Sequence, residues 1–212
     1  MLSFGKYKGQ SISDIYQRDQ SYLEWLLDQP WFQLKFKQQH RIVSETLKDI
    51  RPVYETTSDT TVIYTDGACK HNGAKTTRRV RAGCGVHFSH KNKERLEDIS
   101  TKFPLDNPTN NRAELYAIYL ALKTCFDNDV TKDILIYTDS DYAMKCITAW
   151  YPQWVKQNDI SNKKNIDLLQ MIETLQTRVD VKYMHIRSHT GLSDPHSLGN
   201  ERADYLATAC LR

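Results

Sequence analysis

Residues 107–126, NPTNNRAELYAIYLALKTCF, mark the point at which the sequence changes from strands to a helix. Small and apolar side chains recur in this segment at helical spacing, at Ala113, Tyr116, Ala117, Leu120, Ala121 and Cys125. The segments before it are instead short runs of apolar and β-branched residues separated by polar turns. The pattern therefore predicts a buried helix directly after a group of strands.

Three strands are predicted before this helix and two after it. The first three are TVIYTD (61–66), GCGVHFS (83–89) and LEDISTKF (96–103), and the later two are ILIYTDS (134–140) and VKYMHI (181–186). Further helices are predicted at YAMKCITAW (142–150), NIDLLQMIETLQ (165–176) and GNERADYLATACL (199–211). The order βββαβααβα predicts an α/β fold with a mixed five-stranded sheet, three strands antiparallel and the rest parallel, flanked by helices.

The length allows a second, smaller unit at the N-terminus. Residues 1–47 predict a small, mainly helical domain, residues 48–59 a polar linker, and residues 60–212 the main domain. Within the first domain, Ser21 is expected to cap the helix that begins YLEWLL, with Glu24 as its reciprocal partner.

Charge and cysteine content give only general information about the function. The net charge of +3 does not by itself indicate nucleic-acid binding. The segment from Lys70 to Arg95 holds eight basic residues and one acid, which is typical either of a solvated loop or of a phosphate-facing surface. The five cysteines form no C-x-x-C pair, and no segment is apolar enough to cross a bilayer, so we expect an intracellular, soluble protein with reduced thiols.

Two of the strands end in the same tripeptide, at Tyr64-Thr65-Asp66 and Tyr137-Thr138-Asp139. One such aspartate alone is more often the cap of a turn. If the strands are parallel neighbours, however, the two carboxylates lie a few ångströms apart and their repulsion requires a cation. Glu114, in the first long helix, and Asp204, at the start of the last one, are individually compatible with ordinary surface acids.

Four segments together resemble type 1 ribonuclease H. They are YTDGACKHNG (64–73), TNNRAEL (109–115), YTDSDYA (137–143), and SHTG (188–191) followed by GNERADYLA (199–207), and the resemblance extends from about Thr60 to Arg212. It implies the RNase H-like fold and an endonuclease that cuts the RNA strand of RNA/DNA hybrids, leaving 5′-phosphate and 3′-hydroxyl ends.

The resemblance also assigns the catalytic residues. Asp66, Glu114, Asp139 and Asp204 correspond to the carboxylates that hold two Mg²⁺ ions, which Mn²⁺ could replace. His189 corresponds to the histidine that assists proton transfer or product departure, although the interval LSDPHSLGN (192–200) is longer than in well-known members. Asp194 and His196 in that interval could be additional metal contacts, but loop polarity is the simpler interpretation.

Positions that contact substrate in this family are present as well. Cys69, through its backbone, together with Asn72, Asn110 and Asn111, corresponds to contacts with the RNA 2′-hydroxyls. Thr109, Trp150, Trp154 and Asn165 correspond to the surface that binds the DNA strand. Turns, helix caps and core packing explain the same residue types equally well. Asn107 stands where the family commonly has Arg, which weakens the expected phosphate pocket.

The first domain has a resemblance of its own. FGKYKG (4–9) followed by YLEWLL (22–27) resembles the small C-terminal module of exonuclease X-like proteins. Its basic and aromatic residues could contact nucleic acid or could form a solvated small core: Lys6, Tyr7, Lys8, Trp25 and Trp31.

Two alternative functions remain open on the sequence alone. A catalytically weak binding protein on this fold is expected to lack at least one of the four carboxylates, and a DNA or junction nuclease of the superfamily would not need the asparagine-rich 2′-hydroxyl contacts. The expected partner is an RNA/DNA hybrid, with no membrane and no small-molecule cofactor. The sequence identifies no protein partner.

Overall fold

The computed structural model describes residues 1–27, 29–50, 56–71, 80–89, 96–187 and 194–212. The chain forms two compact units, Met1–Thr56 and Thr57–Arg212. Each unit has its own hydrophobic core.

The first unit is helical, as predicted. Its helices are α1 (Ile12–Leu27), α2 (Pro30–Lys35) and α3 (Lys37–Ile50). The chain kinks within α1 at Asp19, whose backbone is not helical and whose carboxylate accepts a hydrogen bond from the Tyr22 N–H at 3.2 Å. Asp19 therefore caps the second half of α1, and the expectation that Ser21 begins this helix is wrong, because Ser21 already lies inside it.

The second unit contains the predicted mixed sheet. Its strands are β1 (Thr61–Lys70), β2 (Arg81–Phe88), β3 (Ile99–Lys102), β4 (Ile134–Thr138) and β5 (Val181–His185). The order across the sheet is β3-β2-β1-β4-β5, with β1, β2 and β3 antiparallel and with β4 parallel to both β1 and β5. The prediction of a mixed five-stranded sheet, with the first three strands antiparallel and the others parallel, is confirmed.

The helices of this unit differ from the prediction in two places. They are α4 (Asn110–Asp127), α5 (Asp141–Lys145), a π-helical turn (Cys146–Trp150), α6 (Tyr151–Lys156), α7 (Ile166–Gln176) and α8 (Pro195–Ala209). The predicted single helix at 142–150 is the short helix α5 followed by a π-turn, and the helical segment continues through α6, which the sequence did not predict. The last helix begins at Pro195 rather than at 199, because the Asp194 side chain accepts the N–H groups of His196 and Ser197 and so caps it.

Glycines allow α8 to pack unusually close to the sheet. A Cβ atom on Gly83 would lie 2.2 Å from the Ala207 carbonyl oxygen, and one on Gly85 would lie 2.1 Å from that of Ala203. Both glycines lie on β2 at positions that pair with β1. The close approach of the α8 backbone to them therefore places α8 against the centre of the sheet. No helix in the described parts of the chain is long and apolar enough to cross a bilayer.

Candidate active site

The parallel pairing of β1 with β4 places the two predicted aspartates together. Thr65 lies opposite Thr138, so Asp66 and Asp139 follow at the same level of the sheet. The expectation that both strands end at these residues is wrong for β1, which continues to Lys70 by pairing with β2 alone. β4 ends at Thr138, directly before Asp139, whereas β1 continues past Asp66.

Glu114 reaches the same place from α4. A Cβ atom on Gly67 would lie 2.2 Å from the Glu114 backbone nitrogen, so only glycine at this position lets the first turn of α4 lie directly against β1. Burial raises the pKa values of Asp66 and Glu114, and hydrogen bonds from the Gly67 N–H partly oppose that rise. Gly67 thus contributes both the space and part of the positive potential that the site needs.

Three carboxylates meet at this point, and the fourth lies beside them. One oxygen from each of Asp66, Glu114 and Asp139 lies within 4.8 Å of the others. Asp204, on the inner face of α8, lies within hydrogen-bonding reach of Asp66 and raises the pKa of that group. It lies well inside α8 rather than at its start, since the helix begins at Pro195.

The cluster is electrostatically unfavourable without a cation. Burial, followed by repulsion from Asp139 and Asp204, raises the pKa of Asp66 from 3.8 to about 7. Burial, followed by repulsion from Asp66 and Asp139, raises the pKa of Glu114 well above 4.5. These two side chains are 7% and 5% exposed. Such carboxylates are stabilised as anions when a positive ion binds between them.

An unpaired oxygen atom of Glu114 supports the interpretation that a cation binds in this cluster. One Glu114 oxygen, Oε1, accepts from the Asn110 amide at 3.4 Å, whereas Oε2 is buried without a partner among the described residues. A buried acceptor is rarely left unpaired in a native protein. The atoms of this cluster that could bind a metal ion are carboxylate oxygens. Hard divalent cations such as Mg²⁺ prefer this type of ligand.

Two residues that the sequence did not indicate hold Asp139 in place. The buried Asn200 amide donates from Nδ2 to Asp139 Oδ2 at 3.0 Å, and the His185 ring nitrogen Nε2 lies 3.1 Å from the Asp139 carbonyl oxygen. Asn200 precedes Asp204 by one helical turn, and this spacing was the only signal that could have identified it.

Three of the four expected RNA contacts are described by the structure, and one of them, Asn110, contacts a carboxylate of the site. Cys69 follows Gly67 on β1 and is half-buried. Asn110 and Asn111 open α4, with Asn110 bonded to Glu114 and Asn111 exposed to solvent. Asn72 lies outside the described residues.

Arg112 connects two of the residues expected at the DNA strand. Its guanidinium donates to Asn165 Oδ1 at 3.3 Å and forms a bidentate pair with Asp167. Asn165 also donates to the Tyr142 hydroxyl at 2.8 Å, while Thr109 caps α4 by accepting from the Arg112 N–H. Thr109 and Asn165 are therefore linked through Arg112, a residue that the sequence analysis did not single out.

The two tryptophans form a surface pair. Trp150 and Trp154 stack with their ring centroids 6.2 Å apart, and Trp150 is 37% exposed. Tyr142 packs edge-on against Trp150, and Lys163 lies over Trp154 at 5.5 Å. Trp150 therefore combines ring contacts on the protein with an exposed surface.

The long interval before Asp204 is partly ordered into α8. Asp194 is the helix cap, and His196 Nδ1 lies 3.0 Å from the Tyr64 hydroxyl, so these two residues contact protein groups outside the carboxylate cluster. His189 lies outside the described residues, as does most of the basic segment that follows Lys70.

In the first unit the aromatic residues divide between core and surface. Tyr7 is buried, and its hydroxyl donates to Asp19 at 2.7 Å. Lys6 pairs with the same carboxylate at 3.0 Å, whereas Lys8 is exposed. Trp25 is 49% exposed. Trp31, the remaining candidate, packs into the aromatic cluster with Phe4, Phe32 and Phe36.

Comparison with known proteins gives a consistent result. The RNase H family model matches residues 58–212, and the Exodeoxyribonuclease X-like C-terminal model matches residues 2–29. A ribonuclease H of Orientia tsutsugamushi is 39% identical over 150 residues, covering 69% of this chain and 79% of that protein.

Solved structures show that the second unit shares its fold with RNase H domains. The solution structure of the PFV RNase H domain superposes with a TM-score of 0.55 at 26% identity, covering 71% of this chain and 93% of that domain. A foamy viral protease-reverse transcriptase in complex with an RNA/DNA hybrid superposes with a TM-score of 0.55 at 22% identity, covering 76% of this chain and 21% of that protein. Because the family match spans the whole sheet and all four carboxylates, the protein belongs to the RNase H family and is a hydrolase of that family.

Proposed function

We propose that the protein is an endonuclease that hydrolyses the RNA strand of RNA/DNA hybrids with two Mg²⁺ ions, leaving 5′-phosphate and 3′-hydroxyl ends. The observation that carries the proposal is the cluster of Asp66, Glu114 and Asp139, with oxygens within 4.8 Å of one another and with Asp204 beside Asp66. This arrangement has no structural benefit of its own, because like charges that are buried together destabilise the fold.

The side chains of the carboxylate cluster have the ligand chemistry that divalent cations require. The set consists only of carboxylates, and the unpaired Glu114 Oε2 is a free acceptor within it. Two Mg²⁺ ions bound here would activate the attacking water and stabilise the charge on the leaving 3′-oxygen. Mn²⁺ accepts the same oxygen ligands and is expected to substitute for Mg²⁺.

The chain's own residues orient the substrate and the carboxylates. Asn200 and His185 fix Asp139, and Gly67 lets Glu114 approach Asp66. His189 would move a proton at the leaving group or help the product to depart. Since the reaction does not use the 2′-hydroxyl as nucleophile, the preference for RNA arises in binding.

Hybrid recognition would use two surfaces on either side of the carboxylates. The Cys69 backbone, Asn72, Asn110 and Asn111 would contact 2′-hydroxyls in the shallow groove of the hybrid. The DNA strand would lie along a second set of residues: Thr109, Trp150, Trp154 and Asn165. An amide that both donates and accepts suits a hydroxyl partner, and the exposed Trp150 offers an apolar face to the nucleic acid.

The first unit would serve as an accessory nucleic-acid binding module. We assign residues 1–47 to this module, 48–59 to a linker and 60–212 to the catalytic domain. The exposed Trp25 supports stacking on a base, and the exposed Lys8 supports a phosphate contact. Lys6 contributes less, since Asp19 already neutralises it.

The test is cleavage of a labelled RNA/DNA hybrid, with duplex RNA and duplex DNA of the same sequence as substrate controls. The full chain is compared with Asp139→Asn and with Asp141→Asn, a matched change at an exposed aspartate that pairs with Lys145. We expect cleavage of the RNA strand alone, dependent on Mg²⁺, lost in Asp139→Asn and retained in Asp141→Asn.

Two other outcomes of this cleavage experiment would indicate a different function. Tight hybrid binding without cleavage would favour a binding protein, and cleavage of duplex DNA would favour a nuclease with a different substrate. Enzymatic labelling of the product ends checks the proposed 5′-phosphate and 3′-hydroxyl.

A further inference from the structure

Asn200 is held in one orientation by the carboxylate that it contacts. Its side chain is 3% exposed, and Nδ2 lies 3.0 Å from Asp139 Oδ2. An ionised carboxylate only accepts hydrogen bonds, so the amide must present its NH₂ group to Asp139. This contact fixes the position of the other amide atom, Oδ1.

No donor to that second atom is present in the part of the chain that the structure describes. Asn200 Oδ1 is buried without a hydrogen-bond donor among the described residues, as is Glu114 Oε2. Both atoms belong to side chains that contact or form the carboxylate cluster. A buried acceptor left unpaired is costly, so its retention indicates that a donor arrives with a ligand.

We propose that Asn200 is a positioning residue for the divalent cation. Its Nδ2 holds Asp139 in the rotamer that directs the other carboxylate oxygen at the ion, and its Oδ1 accepts a hydrogen bond from a water molecule of the ion's hydration shell. The inference rests on the proposed cation site. It adds to that site a neutral residue that supports the carboxylates without contributing charge.

Neutrality explains why an amide suits this position. A fifth carboxylate would increase the repulsion that already raises the pKa values of Asp66 and Glu114. Asn200 instead supplies a donor on one side and an acceptor on the other. Because it precedes Asp204 by four residues in α8, the same helix face carries both.

The experiment compares the full chain with Asn200→Ala and Asn200→Leu. The leucine variant preserves most of the side-chain volume while removing both hydrogen-bonding functions. Glu201→Ala, at the exposed neighbouring position, is the control. Mg²⁺ affinity is measured by titration calorimetry and by the Mg²⁺-dependent rise in Tm, with no substrate present.

We expect both Asn200 variants to bind Mg²⁺ roughly tenfold more weakly or worse, as is typical when a residue supporting metal ligands is removed. In cleavage assays the Mg²⁺ concentration for half-maximal rate should rise by a similar factor, while KM for the hybrid is unchanged. Excess Mg²⁺ should restore part of kcat. The Glu201→Ala protein should match the wild type.

Several outcomes would overturn the proposal. Wild-type Mg²⁺ affinity in either folded variant would show that Asn200 does not support the ion, and failure of both variants to fold would assign it to stability instead. If the wild type binds Mg²⁺ but cleaves no hybrid, the proposed function fails while the role of Asn200 is still decided by the calorimetry.

Discussion

At the scale of single residues, the raised pKa of Asp66 predicts how the metal-free protein responds to pH. The folded state holds this proton up to about pH 7, whereas the unfolded state releases it near 3.8. The folded state therefore binds more protons between these values, and its stability falls as pH rises through this window. The loss from Asp66 is about 4 kcal/mol, since one pKa unit corresponds to about 1.4 kcal/mol.

Thermal unfolding in EDTA at pH 5 and pH 8 measures this effect. The wild type should have the lower Tm at pH 8, and saturating Mg²⁺ should remove most of the difference. Asp66→Asn should be less sensitive to pH, more stable than the wild type at pH 8 in EDTA, and inactive. A wild-type Tm that rises from pH 5 to pH 8 in EDTA would contradict the proposed repulsion.

Trp150 allows a test of the expected DNA-strand surface. Trp150→Ala removes the exposed member of a stacked pair while Trp154 stays in place. Because stacking contributes roughly 1–3 kcal/mol per base, KM for the hybrid should rise about tenfold with kcat nearly unchanged. Val155→Ala, which shortens an exposed apolar residue nearby, serves as the control in steady-state kinetics. Equal KM values for the two variants would exclude Trp150 from hybrid binding.

The residues of the site differ in how far the sequence could predict them. Asp66 and Asp139 could be predicted because both follow the same strand-end pattern, and the structure pairs Thr65 with Thr138 directly before them. Glu114 and Asp204 required the family resemblance, since each alone looks like a surface acid. The spacing of Asn200 from Asp204 is a weak sequence signal, because the burial of Asn200 depends on how α8 packs on the sheet.

At the scale of secondary structure, periodicity predicted the strands and the long helices, while caps and irregular turns were missed. The five strands and their pairing follow from apolar runs and connection rules. The early start of α8 depends on the Asp194 cap, which was interpreted as loop polarity. The π-turn at Cys146–Trp150 changes the hydrogen-bond register without a change of composition, so no sequence pattern indicates it.

The close packing of α8 gives a prediction for Gly199. In an ordinary helix, Gly→Ala stabilises by up to about 1 kcal/mol. Here the new Cβ would lie 2.4 Å from the ring of Tyr64, which is buried. Overpacking of this kind costs roughly 1–3 kcal/mol, so Gly199→Ala should lower Tm despite the higher helix propensity of alanine.

The same change should reduce cleavage, because Asn200 and Asp204 move with α8. Thermal unfolding and kcat are measured together, with Leu198→Ala at the exposed preceding position as the control. A Gly199→Ala protein that is more stable than the wild type would show that helix propensity dominates and that α8 is not tightly constrained.

At the scale of the whole molecule, the two compact units predict that catalysis and accessory binding can be separated. All four carboxylates lie in the second unit, Thr57–Arg212, and the RNase H family model matches residues 58–212. Deletion of residues 1–56 should therefore leave kcat within about twofold of the full chain. If the first unit binds nucleic acid, KM for the hybrid should rise roughly tenfold, and fewer cuts should be made per encounter.

A point substitution in the full chain distinguishes lost binding from an indirect effect of truncation. Trp25→Ala should reproduce much of the rise in KM, whereas Leu34→Ala, at another exposed apolar residue of the same unit, should not. Salt weakens phosphate contacts but has little effect on stacking. If phosphate contacts contribute to binding by the first unit, raising the salt concentration should reduce the difference in KM between the full chain and the truncated protein. Unchanged KM and processivity after deletion would mean that the aromatic residues of the first unit serve its core alone.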